Sequence, residues 1–261
     1  MKTLALCFLI YDKIECEDLW EEWIRGNEDK VRIYIHSKTE YTPVTSYFNN
    51  HAVRIDTIPT QWAHSTLVKA TLNLYTKAVS YPENTMFILL SGACIPIKSF
   101  MDTYSNLIQN EDFSYAQNLH IVDMIRYSRL VKKLGGRQNC VKIHHQWIIL
   151  CRNHVEFVLS KYNNILELYR AVPFSDESWF LTILSLHDKE SEVIKQQTTF
   201  TNWGSFTDRY GHPKTYNEIS DEELYDIVNN SDYMFARKFT RETPNLVSRL
   251  KAYWEVESNC L

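Results

Sequence analysis

Thr85-Met86-Phe87-Ile88-Leu89-Leu90, closed by Ser91-Gly92, is the stretch whose reading decides the fold. Five apolar residues in a row leave no polar face for solvent, which is the pattern of a strand covered on both sides. Ser-Gly then punctuates the run. Upstream, Ser65 to Ser80 carries Leu67, Val68, Leu72, Tyr75 and Val79 on one helical face, with Ser65 or Thr66 available as its cap. Downstream, Phe100 to Gln109 reads as a second helix.

The same alternation extends both ways. Thr3 to Tyr11 is an apolar run suited to a buried parallel strand, and Glu15 to Arg25 sets Leu19, Trp20, Trp23 and Ile24 at helical spacing. Val31 to His36 and Ala52 to Ile58 read as strands, as do Phe113 to Gln117 and Gln146 to Cys151. Lys132 to Lys142, with Gly135-Gly136, reads as a loop, and Asn153 to Ser160 and Ser175 to Leu186 as helices. Phe200 to Pro213 is irregular, and Ser220 caps a helix over Asp221 to Asn229. Tyr233 to Phe239 is apolar and then basic, and Pro244 to Tyr253 closes the chain as a helix. Strand-helix alternation with short connections predicts an α/β fold, with a mostly parallel central sheet flanked by helices. With no repeat, linker or low-complexity segment, residues 1–261 are expected to form one domain with its core over about residues 3–250.

Composition narrows the function classes. Net charge is −4 with both signs interspersed, so no basic stripe for nucleic acid exists. Six glycines, with no G-x-G-x-x-G or G-K-[ST], leave phosphate binding to side chains or a helix end. The six cysteines include no C-x-x-C pair, which argues against zinc. His144-His145 lacks the i, i+4 spacing of a helical metal site, and no G-x-S-x-G is present. Aromatic residues make up 13% of the chain, a share that serves either core packing or a carbohydrate-facing surface. Met1-Lys2 and the apolar Leu4 to Ile10 have the outline of a signal peptide, but the run passes directly into Tyr11-Asp12-Lys13 and is better explained as a first strand. No run approaches the roughly 18 apolar residues of a membrane span.

Ligands in open α/β sheets bind at the carboxyl ends of strands. Here those ends are Tyr11-Asp12, His36-Ser37-Lys38, Ser91-Gly92-Ala93-Cys94 and the segment near Arg126. Ser175-Asp176-Glu177 has two readings: an N-cap with acidic residues in the first turn, or a carboxylate presented as a general base. Arg237-Lys238, at the end of an apolar run, reads either as an exposed strand end or as a clamp for a diphosphate leaving group. No D-x-D triplet, a common metal-holding device of nucleotide-sugar enzymes, occurs anywhere in the chain.

Taken in order, several segments resemble the core-2/I-branching β-1,6-N-acetylglucosaminyltransferase family, with its plant relatives and the peptide-O-xylosyltransferases. They are Val31 to His36, Gln61-Trp62-Ala63-His64-Ser65-Thr66-Leu67-Val68-Lys69-Ala70, Phe87 to Lys98 with Ser91, Gly92 and Pro96, and Arg126-Tyr127. Gln146-Trp147, Ser175-Asp176-Glu177, Gly211-His212-Pro213-Lys214 and Phe235-Ala236-Arg237-Lys238-Phe239 complete the set.

The resemblance implies a GT-A-like fold and an inverting, metal-independent transfer from a UDP-sugar, with N-acetylglucosamine the first donor to test. It puts the catalytic base on Glu177 and the diphosphate cations on Lys238 and Lys214, with Arg237 assisting. Tyr11, His36, Ser37, Lys38, Ser91 and Gly92 are expected beside the nucleotide, and Arg126, Tyr127 and Trp147 beside the acceptor. No metal or other cofactor is expected, and the partners are a UDP-sugar and a carbohydrate or glycoprotein acceptor. Ser37 and Cys94 stand where family members often carry an acidic residue. Golgi members add an anchor, a stem and disulfides. This chain opens on a strand and lacks that cysteine framework, so a cytoplasmic enzyme is the expectation, and a composition rich in Lys, Asn and Ile and poor in Gly suggests a microbial or viral source. Xylosyl or glucosyl transfer on the same fold, and a non-catalytic nucleotide- or carbohydrate-binding protein, are the alternatives.

Overall fold

Helices and strands alternate as the sequence suggests, in a computed structural model that describes residues 1–119, 125–204, 212–229 and 232–258. The elements run β1 (Thr3–Ile10), α1 (Glu17–Ile24), β2 (Val31–Ser37), α2 (Ser46–His51), β3 (Ala52–Arg54), α3 (Thr66–Val79), β4 (Asn84–Ser91), β5 (Ile95–Pro96) and α4 (Phe100–Gln109). Next come β6 (Ser114–Tyr115), β7 (Asn118–Leu119), α5 (Ser128–Lys133), β8 (Ile143–His144), β9 (Ile149–Cys151), α6 (Arg152–Ser160), α7 (Tyr162–Tyr169) and α8 (Trp179–Ser185). β10 (Val193–Ile194), β11 (Thr199–Thr201), α9 (Asp221–Asn229), β12 (Phe235–Arg237) and α10 (Leu246–Ser258) complete the order.

Seven strands form the central sheet in the order β10-β6-β9-β4-β1-β2-β3. Within it β9 alone runs against its neighbours β4 and β6. This is the α/β class with a mostly parallel, helix-flanked sheet. β1 lies between β2 and β4 and is buried along its whole length. Leu4, Leu6, Phe8 and Ile10 enter one core, and Ala5, Cys7 and Leu9 the other, as the period of two in a pleated strand requires. The first core takes the apolar faces of α1, α2, α4, α9 and α10, and the second those of α3 and α5 to α8.

A second sheet, ordered β11-β12-β5, sits on the first core and delivers Arg237 and Lys238. Two indoles of α1 hold it there. Trp20 stacks on Phe235 at 5.9 Å, and its Nε1–H donates to the Cys94 carbonyl at 3.0 Å. Trp23 donates to the Lys98 carbonyl at 2.8 Å. Each buried ring thus satisfies its one donor.

Three local expectations change. Lys132 and Lys133 end helix α5 and are not part of a loop. The reason is tertiary, since the Lys133 ammonium donates to the carbonyls of Glu167, Leu168 and Arg170 around the end of α7. Ser175 to Leu186 is not one helix: a 3₁₀ turn over Ser175–Glu177 breaks at Ser178 before α8 begins. Nor does Ser175 cap anything, because its hydroxyl donates back to the Val172 carbonyl at 2.6 Å. Helices α2 and α7 were not expected from the sequence. α2 is nucleated by Thr45, whose hydroxyl accepts from the Phe48 N–H. α7 buries Ile165 and Tyr169 fully and packs Tyr162, Leu166 and Leu168 partly against the same core. Among the described residues no helix is long and apolar enough to cross a membrane.

Candidate active site

The site is organised by Phe174. Its φ of 49° puts it in the left-handed region, and its N–H donates to the carbonyl of Ala63, itself at φ 56°. The Phe174 carbonyl accepts from the Glu177 N–H at 3.1 Å and from the Tyr127 hydroxyl at 3.2 Å. The Arg126 guanidinium lies 4.2 Å over its ring. The turn that follows presents Asp176 and Glu177 to a cleft of about 600 Å³, shared with Arg126, Gln146, Arg237 and Lys238.

Electrostatics make these carboxylates unusual. Burial pushes Glu177 above the ordinary carboxylate range, with Arg126 opposing. Asp176 is pushed up to about 7, first by burial and then by the charge of Glu177. Its Oδ1 is out of reach of solvent and has no hydrogen-bond partner among the described residues. A carboxylate raised in this way is a stronger proton acceptor near neutral pH.

Arg237 and Lys238 form the cationic wall of the cleft. Arg237 lies 4.7 Å over Trp147, and its buried Nε finds no acceptor among the described residues. Burial lowers the affinity of Arg237 for its proton, and lowers that of Lys238 with Arg237 adding repulsion. Two desolvated cations favour an anionic guest. Lys214 is close along the backbone, where the Lys238 N–H approaches its carbonyl at 3.4 Å. Its ammonium, however, is held by both Glu223 oxygens at 2.8 and 2.9 Å and lines a separate hollow. The Ser220 cap fixes the first turn of α9 and with it Glu223.

Tyr11, Ser37 and Lys38 gather at the carboxyl ends of β1 and β2, with the Lys38 ammonium 4.9 Å over the exposed Tyr11 ring. His36 does not join them. It is fully buried, its Nε2 accepts from the Ile58 N–H at 3.1 Å, and burial lowers its affinity for a proton. Ser91 is turned inward to the Cys94 sulfur at 3.1 Å. Gly92 is required by close approach: a Cβ there would stand 2.1 Å from the Lys13 carbonyl oxygen. Its own carbonyl accepts from the Glu15 N–H at 2.7 Å, so it fixes the loop leaving β1. None of these six residues lines the cleft that holds Glu177. Of the three expected acceptor contacts only Arg126 lines it; Tyr127 is buried and Trp147 lies beneath Arg237. Gly211 and Cys260 fall outside the described residues.

The sequence reading gave no site role to Trp62, His145, Trp203 and His212, which also line the cleft. The available clue was a tryptophan in the polar segment around Gln61 and His64. His144 is structural: its Nδ1–H donates to the His145 carbonyl, its Nε2 accepts from the Phe180 N–H, and burial takes it down to about 4. Among the described residues no three His, Cys, Asp or Glu side chains cluster as metal ligands.

Comparison with known proteins gives the following. A family model described as Core-2/I-Branching enzyme matches residues 4–229. Glycosyltransferase BC10 of Oryza sativa subsp. japonica is 24% identical over 298 residues, spanning 91% of this chain and 74% of that protein. Galactosyltransferase LgtC, solved with donor and acceptor sugar analogues, aligns over 97% of this chain and 96% of its own at 10% identity and a TM-score of 0.45. Mouse xyloside xylosyltransferase 1 in its apo form aligns over 90% and 97% at 8% identity and a TM-score of 0.43.

Proposed function

The chain belongs to the core-2/I-branching enzyme family and is a glycosyltransferase, and on that premise we propose that it transfers a sugar with inversion and without a metal ion. The donor is a UDP-sugar, with N-acetylglucosamine the first to test, and the acceptor is a hydroxyl of a carbohydrate or glycoconjugate. One observation carries the reading. A partly buried carboxylate raised above the ordinary range, Glu177, shares a cleft with two partly buried cations, Arg237 and Lys238, for which no carboxylate partner is found among the described residues.

The chemistry follows from that pairing. Glu177 takes the proton of the acceptor hydroxyl while its oxygen attacks the anomeric carbon from the face opposite the leaving group. The bond from that carbon to the diphosphate oxygen breaks, and its electron pair leaves with UDP. One displacement inverts the configuration. Lys238 and Arg237 offset the charge that develops on the diphosphate. Lys214 contributes once the anion competes with Glu223 for its ammonium.

Turnover of a UDP-sugar is expected to persist in excess EDTA. Activity that collapses on chelation and returns with Mn²⁺ would overturn the metal-independent mechanism.

A further inference from the structure

Trp62 is 73% exposed, whereas Trp20 and Trp179 are fully buried. An indole left in water on a polar loop gives up much of the stabilisation that burying it would bring. The fold nevertheless holds it in place. Phe174 meets the Trp62 ring edge-on at 5.4 Å and 84°. The next residue, Ala63, accepts the Phe174 N–H at 2.9 Å, and Glu177 hangs from the Phe174 carbonyl. Two non-glycine residues in the left-handed region, Ala63 and Phe174, therefore join the tryptophan loop to the carboxylate turn. Polar Gln146 and His145 line the same cleft.

We propose that Trp62 is the stacking platform for a pyranose ring of the acceptor, set beside Glu177 by the Phe174–Ala63 hydrogen bond. The inference rests on the glycosyltransferase reading of this cleft. A pyranose has an apolar C–H face and a hydroxyl rim. The indole takes the face, and Gln146, His145 and the carboxylates meet the rim. Because Trp62 is coupled to Glu177 through Phe174, a ring resting on it brings its hydroxyl toward the base. The donor diphosphate occupies the side of Arg237 and Lys238. Trp62 is thus a binding residue for the acceptor and takes no part in proton transfer.

The test is a saturation-transfer NMR titration of the whole chain with methyl β-glucopyranoside, methyl β-galactopyranoside and N-acetyllactosamine. At least one sugar is expected to bind the wild type, to bind Trp62→Ala at least about fivefold more weakly, and to recover part of that loss in Trp62→Phe. The UDP-induced rise in Tm is expected to be the same in all three proteins. Three results overturn the platform: no sugar binding by the wild type, equal binding by Trp62→Ala, or loss of the UDP response in that variant, which would make Trp62 a nucleotide contact. Donor hydrolysis and the UDP response of the wild type are read in parallel. Failure of both removes the transferase reading, while the sugar titration decides the platform separately.

Discussion

Two hollows of nearly equal size, about 630 and 600 Å³, each hold a glutamate, Glu17 at the start of α1 and Glu177 at the end of the 3₁₀ turn before α8. In the first, Glu17 is buried, and its oxygens accept from the Tyr41 hydroxyl at 2.7 Å and from the Val44 and Thr45 N–H groups at 2.8 and 2.9 Å. Nearby Glu22 is taken by Lys251 and Arg25. In the second, Asp176 Oδ1 and Arg237 Nε have no partner among the described residues. Volume does not separate these sites. Unspent hydrogen-bonding capacity does, because a buried polar group without a partner persists only where something else repays it. Glu17 fastens the Tyr41–Thr45 segment to α1, whereas the Asp176–Glu177 turn keeps an unpaired carboxylate oxygen among the described residues, which the proposed transfer would use.

The largest effect that tests this contrast is on turnover. Glu177→Gln is expected to lose about 10²- to 10⁴-fold in kcat while keeping the UDP-induced rise in Tm. A near-normal rate would remove Glu177 as the base and erase the distinction. Lys238→Ala is expected to lose about 10²- to 10³-fold, since it removes charge aimed at the leaving group. Glu17→Gln should do the reverse. Replacing an acceptor of three hydrogen bonds by an amide is expected to cost about 2–4 kcal/mol in urea unfolding, with kcat per folded molecule unchanged.

The smallest effect is the pH dependence of Asp176. Its folded pKa of about 7 lies above the unfolded value near 3.8, so the folded state binds the extra proton between those limits. Stability from this group is therefore present at low pH and lost as pH rises through about 7. Asp176→Asn removes the charge, so it is expected to stabilise the protein by about 1–3 kcal/mol at pH 8. That gain should fade toward pH 4. Equal gains at both ends of the range would show that packing, and not ionisation, is responsible.

Several parts of this site were legible in the sequence because they are local. Glu177 stands at an acidic step before an apolar helix, and Arg237-Lys238 ends an apolar strand, so residue type and position marked both. Other expected contacts lie away from this cleft for a common reason. His36, Ser91 and Gly92 were placed by the polarity that follows a strand, but polarity along the chain does not tell which way a side chain turns. His36 points inward to hold Ile58, Ser91 turns to Cys94, and Gly92 is packed against Lys13. Lys214 carries the expected charge, yet Glu223, nine positions later, has already engaged it.

The apolar runs of β1 and β4, and the 3.6-residue spacing of α1 and α3, were enough to specify a mostly parallel sheet covered on both faces. That burial pattern follows from residue order and backbone geometry alone. The meeting of Trp62, Arg126 and Glu177 around Phe174, and of Arg237 with Trp147, depended on the assembled fold. Residues more than a hundred positions apart become neighbours only when two loops share a backbone hydrogen bond, and no local pattern records that bond. It is also why two glutamates, Glu17 and Glu177, end in different surroundings, the first with three hydrogen-bond donors and the second in the cleft beside Arg126.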